Sequence, residues 1–186
     1  MRLILMGYKD HGKDTACEIL RERFGLDFVS SSEMANNLFL YKKLKDEMGY
    51  RSLAECFSDR INHRERWYQE ICDFNTDDRA RMGREIFSRF PVYCGIRDLE
   101  ELQSIKAAGM VDLIVWIDAD ERKPPESIKS MNISREHADV ILNNNGTEQD
   151  LIHQVTLLYE QHILPLMEKP ILGVQVVSEA GPTQWM

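Results

Sequence analysis

The feature that most constrains this chain is a short apolar run followed at once by two glycines and a lysine. Residues 2–6 read Arg-Leu-Ile-Leu-Met, and residues 7–15 read Gly-Tyr-Lys-Asp-His-Gly-Lys-Asp-Thr. Gly7 and Gly12 enclose four residues and Lys13 follows directly, which is the spacing of a phosphate-binding loop between a strand and a helix. An ordinary strand-to-helix turn is the alternative. The helical spacing of the apolar residues that follow favours the phosphate loop.

The residue types in this loop suit a nucleotide. Glycines let backbone N–H groups surround phosphate oxygens, the Lys13 ammonium can reach the β and γ phosphates, and the helix dipole favours an anion. Asp14 stands where a serine or threonine is usual, so Thr15 is the nearest hydroxyl for a magnesium ion. We therefore expect ATP and Mg²⁺ as cofactors. The nucleotide-binding residues are predicted to include Gly7, His11, Gly12, Lys13, Asp14 and Thr15.

Composition limits the partners of the chain. Its 186 residues, 43% of them hydrophobic, fit one domain with an inserted helical region. The net charge of −8 argues against a nucleic-acid partner, because phosphate contacts come from clustered Lys and Arg. The four cysteines form no CxxC pair, which argues against zinc and is typical of reduced thiols in a cytoplasmic protein. We see no signal peptide and no membrane-spanning run.

Polar residues follow the predicted second strand, 26–30. The carboxyl ends of parallel strands face the ligand crevice, so Ser32 and Glu33 are candidate substrate contacts. The alternative for Ser32 is that it only caps the next helix.

Residues 33–89 are predicted to form four helices inserted between the second and third strands. Apolar spacing predicts the third over residues 61–74, and Thr76 is the predicted cap of the fourth. Seven arginines fall within thirty residues of this insert, and we expect two or three of them to contact substrate. Arg60, Arg64, Trp67 and Asn75 are the preferred candidates, because the third helix also offers an aromatic ring that could stack on a base. The alternative for Trp67 is a core position, since it shares helical spacing with neighbouring apolar residues.

Arg97 ends the predicted third strand, 91–97, just before a helix capped by Asp98. Its position over the crevice favours phosphate contact, and a structural ion pair with Glu100 or Glu101 is the alternative. After a buried fourth strand, 112–117, we place a mobile lid at 118–135, in which Arg122 and Lys123 could close over phosphates. A plain solvated loop is the alternative.

The rest of the chain completes the predicted core, which spans 1–32 and 90–177. A fifth strand is expected at 138–142, an Asn-rich turn at 143–146, and a final helix capped by Thr147. Residues 171–177 could add an edge strand, and 178–186 are expected to be loose.

Three stretches carry a resemblance to a known family: 12–15, 95–102 and 138–147. They are similar to the P-loop nucleoside monophosphate kinases, most closely the phage-type deoxynucleoside monophosphate kinases and their relatives the dephospho-CoA kinases. The resemblance implies a three-layer α/β/α P-loop kinase fold with a parallel five-stranded sheet of order 2-3-1-4-5 and a helical acceptor-binding insert. It implies that Arg97 is the acceptor arginine and that Asn144 lies near the nucleotide base. One departure is Gly95, where the relatives carry an aspartate.

These observations predict a kinase that moves the γ-phosphoryl of ATP to a (deoxy)nucleoside monophosphate, with Lys13, Arg97 and Arg122 as catalytic residues. The missing aspartate favours a phosphate acceptor over a hydroxyl, because an ionised phosphate needs no base, unless Asp10, Asp14 or Glu33 substitutes for it. Two alternatives stay open. One is a kinase for a hydroxyl acceptor, dephospho-CoA-like or a modified base in DNA; the other is a nucleotide-binding protein with weak or no catalysis. Small-molecule nucleotides are the expected partners, and a homodimer is left open.

Overall fold

The computed structural model describes residues 1–127 and 131–168. Five parallel strands form one sheet in the order β2-β3-β1-β4-β5. The strands are β1 Leu3–Met6, β2 Phe28–Ser30, β3 Val92–Cys94, β4 Leu113–Asp118 and β5 Val140–Asn143. The predicted sheet and its strand order are confirmed. The edge strand predicted at 171–177 and the loose end at 178–186 lie outside the described residues.

Helices cover both faces of this sheet. They are α1 Lys13–Phe24, α2 Ser31–Ala35, α3 Tyr41–Met48, α4 Leu53–Asp59, α5 Arg64–Phe74, α6 Arg81–Phe87, α7 Leu99–Ala107, α8 Glu148–Leu158 and α9 Leu164–Met167. Single π-helical turns, Asn36–Leu40 and Tyr159–Ile163, join α2 to α3 and α8 to α9. Across the described ranges, none of the helices is long and apolar enough to cross a bilayer.

The alternation of side chains along β1 divides the core into two layers. Leu3 and Leu5 pack with the buried residues of α1 and α8 on one face of the sheet. Ile4 and Met6 pack with the insert helices and α7 on the other face. Because β3 follows the same alternation, Cys94 faces α1 whereas Tyr93 faces the insert. This places Tyr93 on the side of the sheet where the insert can enclose a ligand.

Three boundaries in the insert differ from the sequence prediction. The helix expected to start at Ser32 is capped by Ser30, whose hydroxyl accepts the Glu33 N–H, because β2 leads directly into α2. The third insert helix begins at Arg64, after a separate 3-10 turn, Arg60–Asn62. The fourth begins at Arg81 and not after Thr76, since an Asp78 turn occupies the intervening residues.

Candidate active site

The loop between β1 and α1 presents a row of unused backbone N–H groups. Asp10 and Gly12 have positive φ angles of 62° and 90°, and this curls the chain before α1 begins. Within residues 1–127 and 131–168, no hydrogen bond uses the backbone N–H groups of residues 12–15. Four successive donors at the N-terminus of a 12-residue helix form an anion-binding concavity.

The curled loop is supported from behind by the turn after β5. The Asn144 side-chain amide donates to the His11 carbonyl at 2.8 Å. The His11 ring is fully buried, and its Nδ1 accepts the Ala119 N–H at 3.1 Å. Gly12 packs so closely on this support that a Cβ there would lie 2.3 Å from Asn144 Nδ2. His11 and Asn144 therefore hold the loop in shape.

We expect Gly12→Ala to destabilise the protein more than Gly25→Ala. Both glycines have positive φ, at 90° and 69°, so each alanine costs about 1 kcal/mol in backbone strain. Nothing lies within 4 Å of a Cβ at Gly25, whereas one at Gly12 displaces the buried Asn144 amide. Overpacking of this kind adds about 1–3 kcal/mol. Urea unfolding of the two variants measures the difference, and equal midpoints would contradict this packing.

Lys13 lies along the cavity wall beside the third strand. Its side chain is 13% exposed, and Nζ donates to Asp14 Oδ2 at 3.1 Å. Gly95 has a φ of 81°, and a Cβ there would lie 3.2 Å from Lys13 Cε. An aspartate at this position would be strained and would crowd the lysine. Gly95, which stands where the similar kinases carry an aspartate, thus leaves room for the Lys13 side chain.

These residues border a cavity of about 510 Å³ between the sheet and the insert. Among the seven insert arginines, Arg60 and Arg64 line it. Arg60 stacks on the Phe57 ring, and burial lowers the pKa of its guanidinium. The other five contact neighbours: Arg66 pairs with Glu47, Arg79 with Glu100, Arg84 with Asp78, Arg89 with Glu85, and Arg81 stacks on Phe74.

The carboxylate of Glu126 binds several hydrogen-bond donors on the cavity wall. Arg97 Nη1 donates to its two oxygens at 2.9 and 3.1 Å, and the Lys9 N–H donates to Oε2 at 2.8 Å. Arg64 Nη1 lies 3.7 Å from Oε1. The Glu126 side chain is 11% exposed. Two guanidinium groups and a backbone donor around one carboxylate are the groups that also bind a phosphate.

A deeper part of the same cavity wall is built from acids and phenols. The Tyr93 hydroxyl donates to Glu101 Oε1 at 2.9 Å, and the Tyr68 hydroxyl donates to Asp98 Oδ2 at 3.2 Å. Asp98 caps α7 by accepting the Glu101 N–H. Burial raises the pKa of the Glu101 carboxyl to about 8; the Tyr93 hydrogen bond opposes the shift and the Asp98 charge adds to it. Burial in this wall therefore favours the neutral, protonated form of Glu101.

The structure brings most of the residues predicted to bind ligand to this cavity. Gly12, Lys13, Asp14, Thr15, Ser32, Arg60, Arg64, Trp67 and Arg97 line it. Trp67 is 3% exposed, so it is both a core residue and part of the wall.

Six predicted site residues lie outside the cavity wall: Gly7, His11, Glu33, Asn75, Arg122 and Asn144. Asn75 is buried, and its Oδ1 accepts the Met82 N–H. Arg122 donates to the Asn144 carbonyl, and Glu33 is exposed. A Cβ at Gly7 would lie 2.7 Å from the Ile117 carbonyl, so this glycine permits close approach of the loop to β4.

A cluster of possible metal ligands lies behind the loop. The ligand atoms of His11, Asp118 and Asp120 lie within 4.8 Å of one another. His11 Nδ1 accepts a backbone hydrogen bond, so the ring proton is on Nε2, which faces the Lys123 carbonyl at 3.3 Å. Neither ring nitrogen has a free lone pair for a cation. The hydrogen bonds of His11 stabilise the loop, and we assign no metal to this cluster.

No protein-family model and no curated protein matches the sequence. Among solved structures, the chain is similar to a shikimate kinase from Aquifex aeolicus, at 16% identity and a TM-score of 0.45, over 88% of this chain and 99% of that chain. It is also similar to a shikimate kinase from Bacteroides thetaiotaomicron, at 12% identity and a TM-score of 0.47, over 89% and 98% of the two chains. A gluconokinase from Sinorhizobium meliloti gives 15% identity and a TM-score of 0.41, over 90% and 97%. With identities and TM-scores this low, neither a family nor a substrate follows from these likenesses.

Proposed function

We propose that this protein is an ATP-dependent phosphotransferase that moves the γ-phosphoryl of ATP to a (deoxy)nucleoside monophosphate and forms the diphosphate. One observation carries the proposal. The cavity that is lined by residues 12–15, whose amides have no hydrogen-bond partner among the described residues, is also lined by Arg64 and Arg97. A donor polyphosphate and an acceptor anion thus have binding groups in one enclosure.

On the donor side, the loop amides hold the β and γ phosphates and the Lys13 ammonium bonds the phosphoryl that moves. These donors are fixed before substrate arrives, so they stabilise charge in the transition state without reorganising. Thr15 and Asp14 line the cavity beside Lys13, and their oxygens fit the hard ligands that Mg²⁺ takes together with phosphates. Mg²⁺ held there would neutralise negative charge on the phosphates.

On the acceptor side, Arg97 and Arg64 hold the monophosphate. An acceptor oxygen forms a bond to the γ-phosphorus while the bond from that phosphorus to the β–γ bridging oxygen breaks, and ADP leaves. The attacking oxygen is already ionised near neutral pH, so no general base is required. A reaction that needs no general base is consistent with Gly95, which supplies no carboxylate.

The insert, 33–89, and the lid, 118–135, have separate roles in this proposal. The insert supplies Arg60, Arg64 and Trp67 to the acceptor. The loop after β4 supplies Glu126, which holds the acceptor arginines until substrate displaces it. Arg122 is bonded to the Asn144 carbonyl, so its predicted contact with the moving phosphoryl requires this loop to move.

Transfer of label from γ-labelled ATP tests the proposal. We expect labelled diphosphate with at least one common ribonucleoside or deoxynucleoside monophosphate, and no labelled product with nucleosides or DNA oligonucleotides. Label on a nucleoside or on DNA would select the hydroxyl-acceptor alternative. Tight ATP binding with no product from any acceptor would select a nucleotide-binding protein that does not catalyse transfer.

We expect Glu126→Gln to bind the acceptor monophosphate about tenfold more tightly, because a neutral amide no longer competes for Arg97 and Arg64. Glu121→Gln is the matched control, since Glu121 is an exposed carboxylate on the same loop. Calorimetric titration with the acceptor and with inorganic phosphate measures the change. Unaltered or weaker binding by Glu126→Gln alone would show that Glu126 organises the arginines and does not compete with a ligand.

A further inference from the structure

Glu101 is a buried acid on the cavity wall that phosphoryl transfer itself does not use. It is 3% exposed and Tyr93 is fully buried, whereas the side chains of Arg97 and Arg64 are 25% and 42% exposed. The acid and the phenol are therefore the less solvent-accessible part of the cavity wall, and the arginines are the more accessible part. A molecule whose phosphate contacts the arginines would extend its other end toward Glu101.

The neighbours of Glu101 do not use the O–H donor of its neutral carboxyl group. The Tyr93 hydroxyl and the Asn75 amide both act as donors toward its carboxyl, and no cationic side chain in the described part of the chain pairs with it. A neutral carboxylic acid carries one O–H donor of its own. Neither of these donors uses that proton, and because Glu101 lines the cavity the proton can bond an acceptor atom that enters there.

The surroundings of this acid suit an uncharged planar ring. Trp67, Tyr68 and Ile71 of α5 contribute aromatic and apolar wall to the cavity. Asp98, at the start of α7, is a nearby carboxylate that can accept an N–H. The Asp98 carboxylate disfavours an acceptor with its own carboxylate, because like charges repel.

We propose that Glu101 is a specificity-determining residue that donates a hydrogen bond to the base of the acceptor nucleotide. This inference rests on the proposed function and narrows its substrate class. The acceptor is a phosphomonoester that carries an uncharged heterocycle with a ring or carbonyl acceptor atom and an N–H. A phosphorylated sugar without a base can contact Arg64 and Arg97 but makes no hydrogen bond with Glu101.

Equilibrium binding to the whole protein tests this without any turnover. The probes are the common nucleoside monophosphates and their base-free counterpart, ribose 5-phosphate. We expect the best nucleotide to bind at least about tenfold more tightly than ribose 5-phosphate, the size of one hydrogen bond to a buried group with its ring contacts. Glu101→Ala should remove most of this advantage and leave ribose 5-phosphate binding unchanged.

The pH dependence separates recognition from a merely structural role. The titratable groups that face Glu101 are Tyr93 from β3, Asp98 at the N-cap of α7, and Cys72 from α5; Tyr68 of α5 bonds Asp98. Burial raises the pKa of Tyr93, Tyr68 and Cys72 above their ordinary values, and the acceptor phosphate is already doubly ionised above pH 7. Nucleotide affinity of the wild type should therefore fall as pH rises through about 8, where Glu101 loses its proton.

Glu101→Gln keeps a donor and an acceptor but cannot ionise, so its nucleotide affinity should stay near the wild-type value at pH 7 and change little up to pH 9. Ribose 5-phosphate binding as tight as the best nucleotide would overturn the inference. An equal loss of both probes in Glu101→Ala, or the same pH profile in wild type and Glu101→Gln, would also overturn it. Each of these results leaves the phosphotransferase activity to be judged separately, by label transfer.

Discussion

Lys13→Ala should reduce phosphoryl transfer by at least about a hundredfold, the typical effect of removing one charge-stabilising donor from a transition state. The lysine side chain is 13% exposed and lies on the cavity wall, next to the free amides of the loop. Its loss removes positive charge where negative charge builds up on the moving phosphoryl. Steady-state turnover with saturating ATP and acceptor measures the effect.

The control for this variant is Lys9→Ala. Lys9 lies in the same loop, but its side chain is 50% exposed and its ammonium pairs with Asp10 at 3.8 Å. Its contribution to the cavity is a backbone N–H, which alanine keeps. We expect Lys9→Ala to retain most activity and both variants to unfold near the wild-type midpoint. Equal turnover of Lys13→Ala and wild type would reject the assigned role of the lysine.

Arg97→Ala should raise the KM of the acceptor by about 30-fold or more, since removing one partner of a hydrogen-bonded charge pair with the acceptor phosphate costs about 2 kcal/mol or more. The guanidinium donates to both oxygens of Glu126, so it is already oriented to bind a phosphate in the position of that carboxylate. The Arg97 backbone is also fixed, because its carbonyl accepts the Asn132 N–H at 3.2 Å. The KM of ATP should change much less than the KM of the acceptor.

Arg66→Ala is the control for the arginine. Arg66 is held by Glu47 through two hydrogen bonds and does not line the cavity. We expect its KM values to match the wild type. A large rise in the KM of ATP in Arg97→Ala, with the acceptor unaffected, would place Arg97 on the donor side and reverse the assignment of the two ends of the cavity.

The loop and the sheet could be predicted from the sequence because their signals are local. Gly7, Gly12 and Lys13 lie within seven residues, and the apolar runs on either side of the loop predict a strand and a helix. The two arginines in and just before α5 could be proposed from composition. Glu126, which contacts Arg64 and Arg97, could not, because it is 29 residues from Arg97 and comes from a loop with no periodic pattern.

Glu101 was not predicted as a site residue, and the reason is different. Glu101 follows Asp98 by three residues, so the sequence predicts it only as part of a helix cap. The cap is present, since Asp98 accepts the Glu101 N–H, but the Glu101 side chain is buried against Tyr93. A signal was available: Glu101 precedes the buried Ile105 by four residues, so both fall on one helix face.

The placement of Arg122 and Asn144 also depends on tertiary contacts. The sequence places both near the nucleotide, but Asn144 bonds the His11 carbonyl from behind the loop and Arg122 bonds Asn144. Such contacts join β5, the loop after β4 and the phosphate loop, which lie far apart along the chain. No local pattern reports a packing arrangement of this kind.

The most direct measurement of the central claim is a competition titration with a bisubstrate analogue, in which adenosine and a second nucleoside are joined through five phosphates. If the amides of residues 12–15 and the pair Arg64 and Arg97 bind the two ends of one reaction, a single molecule should bind per chain and displace both ATP and the acceptor monophosphate. Displacement of only one of the two nucleotides, or binding of two analogue molecules per chain, would contradict a shared cavity for phosphoryl transfer.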